Sequence, residues 1–251
     1  MTEAGIVEKY IKSANRLILL DYDGTLVNYA PKPDKAIPPA ELLQILESLI
    51  KKPNTKVFII SGRGYNDLDK LLGHISINLI AEHGAMIKKN GKWEKTAVVN
   101  GFWKSTLLPT FNRMALSCPQ SFVEEKHFSL SWHYRNAEPE VGYAHSRELI
   151  RAIRDITNTY RLKVIDGNKI VEVISSVSGK DIAIKNIIGK NTFDCILALG
   201  DDKTDEDMFS ELAENKNAVT IKIGEGATVA KYRYTSVQQA IMLLKQIAQC
   251  D

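Results

Sequence analysis

The chain has 251 residues, 33 Lys and Arg against 30 Asp and Glu, and a hydrophobic fraction of 44%. That length suits two ordinary folding units or one large one, and the composition excludes a disordered chain, a collagen and a disulfide scaffold. A net charge of +3 with no dense Lys/Arg run argues against nucleic acid and membrane surfaces as partners, while suiting a small anionic substrate.

The N-terminus shows no basic region followed by a long apolar stretch, and runs such as Leu17–Leu20 are too short to span a bilayer. Cys118, Cys195 and Cys250 are too dispersed for a metal knuckle, and their odd, sparse count fits a reducing cytoplasmic compartment.

In chain order, a helix-like lead-in precedes Arg16–Leu20, which reads as a strand buried on both faces. Pro38-Pro39 opens a helix over Glu41–Lys52, and Lys56–Ile60 is a second buried strand. Ser61-Gly62-Arg63-Gly64 leads into a helix ending at Leu72, and Asn78–Ala81 reads as a third strand. This alternation predicts a parallel sheet with helices on both faces. The rhythm then breaks. Ala85–Lys89 and Lys92–Glu94 flank Asn90-Gly91, a hairpin signal. A helix over Trp103–Ser117, strands over Ser121–Glu125 and Phe128–Tyr134, and a helix over Glu140–Tyr160 follow. Arg161–Ile165 and Lys169–Ile174 form a second hairpin around Asp166-Gly167-Asn168. The α/β rhythm resumes with a helix over Lys180–Ile188, a strand over Phe193–Leu199, a helix over Asp205–Ala213, a strand over Ala218–Ile223 and a helix over Ser236–Ala248. The predicted fold is therefore α/β: a doubly wound, mostly parallel, Rossmann-like core of residues 1–84 plus 173–251, with an inserted α+β cap over 85–172.

Two apolar strands end in acids: Asp21-Tyr22-Asp23-Gly24-Thr25 after the first, and Gly200-Asp201-Asp202 after a late one. In open α/β sheets such strand ends face the ligand crevice. Crowded carboxylates there need a cation, and an oxygen-only donor set suits Mg²⁺. Ser61 and Gly62 offer a hydroxyl and an N–H before a helix, and Lys180 offers a point charge, together a phosphate site. Asp21, fixed at the strand end, suits a nucleophile; Asp23, two residues on, suits a general acid and base. D-x-D-G alone is most often a turn. Its combination with S-G-R, a lysine and G-D-D, each behind an apolar segment in that order, is far more specific.

These residues resemble the haloacid dehalogenase superfamily of phosphotransferases over nearly the whole chain. The resemblance implies Mg²⁺ held by the carboxylates of Asp21 and Asp201 and the backbone carbonyl of Asp23. A narrower resemblance, to trehalose-6-phosphate phosphatases, rests on L-L-D-Y-D-G-T-L, I-S-G-R with Arg63, A-E-H-G-A around His83, V-E-E-K followed by W-H-Y-R, E-V at Glu172, and G-D-D-K-T-D-E-D-M-F. It implies sugar contacts from Glu124, Lys126, Arg135 and Glu172, with Arg63 a further substrate-binding residue. The chain departs from that pattern at Ile174-Ser175, where Arg-Pro is usual, and at Asp181, where Gly is usual.

The expected activity is hydrolysis of trehalose 6-phosphate through an aspartyl-phosphate, by a free enzyme or a module joined to a trehalose-6-phosphate synthase. Another sugar phosphate as substrate, or a non-catalytic phosphosugar sensor, are the competing readings. Without the resemblance, Lys126 and Arg135 are ordinary solvated charges, and Trp93, Trp103 and Trp132 are packing residues. His83 reads as structural support ahead of catalysis.

Overall fold

The computed structural model describes residues 2–89, 91–96, 102–189 and 191–250. Its elements in chain order begin with α1 (Glu3–Lys12), β1 (Arg16–Leu20), α2 (Ala40–Lys51), β2 (Thr55–Ile60), α3 (Tyr65–Leu72), β3 (Asn78–Ala81), β4 (Met86–Lys89) and β5 (Lys92–Lys95). Next come α4 (Trp103–Ser117), β6 (Phe122–Glu125), β7 (Ser129–His133), α5 (Pro139–Ala152), α6 (Arg154–Thr159), β8 (Leu162–Gly167) and β9 (Ile170–Ser175). The chain ends with α7 (Lys180–Ile188), β10 (Cys195–Gly200), α8 (Lys203–Glu211), β11 (Ala218–Ile223), β12 (Tyr232–Tyr234) and α9 (Val237–Gln249).

The chain divides into two compact units, Met1–Thr96 with Lys180–Asp251, and Ala97–Gly179. The larger unit is built on a sheet of order β12-β11-β10-β1-β2-β3-β4-β5, parallel from β12 to β3. Its central strand is the Leu-Ile-Leu-Leu run. Leu17 and Leu19 pack with Ile184, Met208 and Phe209 on one face. By the two-residue period of a strand, Ile18 and Leu20 face the other way, and they too are fully buried. Each such side chain contributes roughly 1.5–3 kcal/mol on burial. The chain leaves β1 toward β2 and returns on its other side at β10, so the winding reverses between β1 and β10.

The smaller unit has a four-stranded antiparallel sheet of order β6-β7-β9-β8. Leu130, Trp132, Val171 and Val173 pack on Trp103, Leu107 and Phe111 of α4 and on Leu149 of α5. In the middle of the sheet's other face Glu124 of β6 lies opposite Ser131 of β7, which lies opposite Glu172 of β9.

Two expectations need correction. The unit boundaries fall at 96/97 and 179/180, not at 84/85 and 172/173. The β4–β5 hairpin pairs antiparallel with β3 and so extends the large sheet, while β9 keeps its ladder to β7 through Ile174. A cut at 173 would split that ladder. The helix expected over Glu140–Tyr160 is two, broken at Ile153, whose side chain is buried in the smaller core. The short strand β12, a Tyr-Arg-Tyr edge, was not foreseen. Asn90 of the hairpin turn lies outside the described residues; Gly91 takes the positive φ, 76°, that such a turn demands.

Candidate active site

In the larger unit, β1 and β10 pair in register up to Leu20 and Leu199, and β1 and β2 up to Leu20 and Ile59. Asp21, Asp201 and Ser61 therefore emerge side by side at the carboxyl ends of three adjacent strands. Asp21 and Asp201 flank the point where the winding reverses, the position at which open α/β sheets bind ligands.

Asp21 continues the ladder, its N–H donating to the Leu199 carbonyl at 3.0 Å. Gly24 takes φ +82°, and a Cβ there would collide with the Asp201 carboxylate, so only glycine fits. Lys180, at the start of α7 and 2% exposed, donates to Asp21 Oδ1 at 2.6 Å and to Asp205 Oδ1 at 2.7 Å. Asp205 Oδ2 accepts the N–H groups of Asp201 and Asp202, both at 3.0 Å. Asp202 caps α8, so one capping box both starts the helix and shapes the Asp201 loop.

Carboxylate oxygens of Asp21, Asp201 and Asp205 lie within 4.8 Å of one another. Two buried carboxylates and the half-buried Asp201, against the ammonium of Lys180, leave an excess of negative charge. Burial pushes the Asp21 carboxyl well above its ordinary value; Lys180 opposes this, and Asp205 and Asp201 reinforce it. Burial, then Asp205, pushes Asp201 up to about 7. Burial pulls the Lys180 ammonium down, but Asp205 and Asp21 outweigh it and hold the group charged. A divalent cation at this cluster would remove the repulsion, and its all-oxygen donor set fits a hard ion.

Asp23 faces elsewhere. Arg63, 7% exposed, donates Nε to Asp23 Oδ2 and Nη2 to Asp23 Oδ1, both at 2.7 Å. Ser61 Oγ accepts the Arg63 N–H at 3.1 Å, which leaves the hydroxyl proton free to point to a ligand.

On the polar sheet face of the smaller unit, Lys126 Nζ meets Glu172 Oε1 at 2.9 Å and Glu124 Oε2 at 3.9 Å. Ser129 Oγ donates to Glu172 Oε1 at 2.6 Å, and His133 Nε2 pairs with Glu124 Oε2 at 2.7 Å while stacking on Phe122. Burial raises the Glu124 carboxyl, but Lys126 and the His133 hydrogen bond bring it below its ordinary value.

A family model for trehalose-phosphatases matches residues 19–238. The chain belongs to the trehalose-phosphatase family. It is 38% identical, over 95% of its length, to a bifunctional trehalose-6-phosphate synthase/phosphatase of Thermoproteus tenax, and 33% identical, again over 95%, to a trehalose-phosphatase of Saccharomyces cerevisiae. It spans about a third of the length of each, 32%. The solved C-terminal domain of the Candida albicans trehalose-6-phosphate phosphatase superposes with a TM-score of 0.95 at 29% identity, covering 100% of this chain and 98% of that one. The fold is that of the haloacid dehalogenase phosphatases, as the motifs implied.

Within this trehalose-phosphatase fold, the structure gathers Asp21, Lys180 and Asp201 at one point, with Ser61 and Gly62 on the next strand end. It gathers Glu124, Lys126 and Glu172 on one sheet face. Arg63, expected on substrate, gives these two bonds to Asp23. Arg135 lies on the turn after β7, its Nη2 donating to the Asn168 carbonyl at 2.7 Å. Sequence reasoning missed three groups. Tyr29 OH donates to Asp201 Oδ2 at 2.8 Å. Lys222, buried at the end of β11, donates to the Asp201 carbonyl. The sequence places Asp205 only at the start of the helix over Asp205–Ala213, with no role in the site. Only Asp205 had a legible signal, its place three residues after an N-cap Asp. Trp103 and Trp132 are core residues as expected, and Trp93 donates to Asp69 at 3.0 Å.

Proposed function

We propose that this chain hydrolyses trehalose 6-phosphate to trehalose and inorganic phosphate through an aspartyl-phosphate on Asp21. The observation that carries this is the Asp21–Lys180–Asp205 contact beside Asp201 at the sheet's reversal point, in a chain of the trehalose-phosphatase family. A metal ion, read as Mg²⁺, would be held by the carboxylates of Asp21 and Asp201 and the Asp23 carbonyl. When bound it supplies positive charge that lets the phosphate approach these carboxylates.

Ser61, the Gly62 N–H and Lys180 hold the phosphate oxygens. Glu124, Lys126, Arg135 and Glu172 hydrogen-bond the sugar hydroxyls, the carboxylates accepting and the cations donating. A carboxylate oxygen of Asp21 attacks phosphorus in line with the departing sugar oxygen. As that P–O bond breaks, Asp23 delivers its proton to the sugar oxygen. Asp23 then takes a proton from water, whose oxygen attacks phosphorus, and the bond to Asp21 breaks. Arg63 holds Asp23 in place while it is ionised, between the two proton transfers. The free state of Cys118, Cys195 and Cys250 accords with a cytoplasmic setting. Among the described residues, no helix is long and apolar enough to cross a membrane.

The test is phosphate release from trehalose 6-phosphate, sucrose phosphate, mannosylglycerate phosphate and a hexose phosphate, with and without Mg²⁺. Trehalose 6-phosphate should dominate, and Asp21→Asn should abolish turnover. Near wild-type turnover in Asp21→Asn would refute the nucleophile, and dominance of another sugar phosphate would refute the substrate.

A further inference from the structure

The Glu82-His83 dipeptide after β3 takes no part in the chemistry above, yet its backbone is costly. Glu82 has φ +48° and His83 φ +54°. Left-handed backbone costs a residue with a side chain roughly 1–2 kcal/mol, and here two such residues are consecutive. Both are buried, so solvent does not hold them there. The turn after β2 does. The Glu82 N–H donates to the Arg63 carbonyl at 2.9 Å, and the His83 N–H to the Ser61 carbonyl at 3.1 Å. The Ser61 N–H in turn donates to the Ile80 carbonyl at 2.9 Å. The residues on either side of Gly62 are thereby tied to β3 and the strained pair. The His83 ring closes the remaining side: a Cβ on Gly62 would fall 2.5 Å from both Cε1 and Nε2 of that ring.

Strained backbone persists where its surroundings over-determine it, and it concentrates at functional sites. A plain connection between β3 and β4 would be served at lower cost by Gly or Asn at these positions. We propose that Glu82-His83 is a strained clamp on the Ser61-Gly62-Arg63 turn, in which His83 is a positioning residue: its ring fixes the Gly62 peptide so that the Gly62 N–H and the Ser61 hydroxyl converge on one phosphate oxygen. The proposal rests on the reading of Ser61 and Gly62 as phosphate donors.

The experiment measures inhibition of trehalose 6-phosphate turnover by inorganic phosphate and by trehalose, in the full chain. His83→Asn keeps a residue that tolerates left-handed φ and removes the ring from Gly62. Misaligned donors should raise the phosphate inhibition constant about tenfold and lower kcat/KM comparably. Inhibition by trehalose, which bears no phosphate, should not change. A loss of packing alone would lower Tm without separating the two inhibitors. Gly62→Ala should weaken phosphate inhibition through its clash with the ring, and adding His83→Asn should relieve part of that defect, a coupling a double-mutant cycle reads directly. Phosphate inhibition within about twofold of wild type in His83→Asn, or additive defects in the pair, overturns the clamp. Ser61→Ala separates the two levels. If it leaves phosphate inhibition intact, the phosphate reading itself fails and the clamp with it. If it weakens phosphate inhibition while His83→Asn does not, the clamp alone fails.

Discussion

Arg63 meets both oxygens of Asp23 and lies 5.1 Å over the Tyr22 ring. A planar guanidinium in this bidentate fork fixes a carboxylate in one orientation, which a lysine would not do. General acid catalysis contributes about 10²–10⁴-fold when the leaving group is poor, and little when it is good. Arg63→Met should therefore lower kcat on glycerol phosphate by about 10²-fold but on p-nitrophenyl phosphate by less than about tenfold. Neither substrate carries the disaccharide, so equal losses would mean that Arg63 serves the phosphate instead. The Arg63–Asp23 bond also shows where sequence reasoning stops. Asp21, Asp23, Ser61, Lys180 and Asp201 were legible because each follows or opens an element whose apolar pattern is local. Tyr29 on Asp201, Lys222 on the Asp201 carbonyl and Arg63 on Asp23 are meetings of residues remote in the chain, and no local pattern encodes them.

Among the elements, the polar face of the β6-β7-β9-β8 sheet concentrates buried charge. The Lys126 and Glu172 side chains are 8% and 4% exposed, so solvent does little to screen their 2.9 Å pair. Removing one partner of such a pair costs about 3–5 kcal/mol, because the other charge stays buried. Lys126→Met should show that loss in chemical denaturation. Adding Glu172→Gln should recover most of it, since the neutral amide needs no counter-charge. Recovered stability with turnover of trehalose 6-phosphate still low, and p-nitrophenyl phosphate hydrolysis retained, would separate a sugar-reading role from a structural one. Turnover that returned together with stability would make the network structural only. The strands bearing these residues were legible from alternation and from turn residues. Their grouping was less so. A hairpin signal such as Ala85–Glu94 says that two strands pair, but not which sheet they extend, and β4 extends that of β3. Three residues, Tyr232–Tyr234, are too few to show a period at all.

For the molecule as a whole, the acids at the reversal point couple metal, pH and stability. Asp201 rises from an ordinary 3.8 to about 7 in the fold through burial and its acidic neighbours, and Asp21 is raised in the same direction. A carboxyl with a raised pKa holds its proton more tightly when folded. Its contribution to stability is complete below about pH 4 and is lost as pH climbs through the folded value near 7. A cation must displace those protons, so its binding strengthens over the same interval. Without Mg²⁺, Tm should therefore carry a downward contribution from these groups between about pH 5 and pH 8, and the Tm gain at a fixed Mg²⁺ concentration should be larger at pH 8 than at pH 5. Asp201→Asn replaces the titrating oxygen with an amide that carries no negative charge. In that variant the metal-free Tm should vary less with pH, and the Mg²⁺ gain should shrink at pH 8 most of all. A gain that is flat with pH in the wild-type chain, or unchanged in Asp201→Asn, would place the metal somewhere other than between β1 and β10.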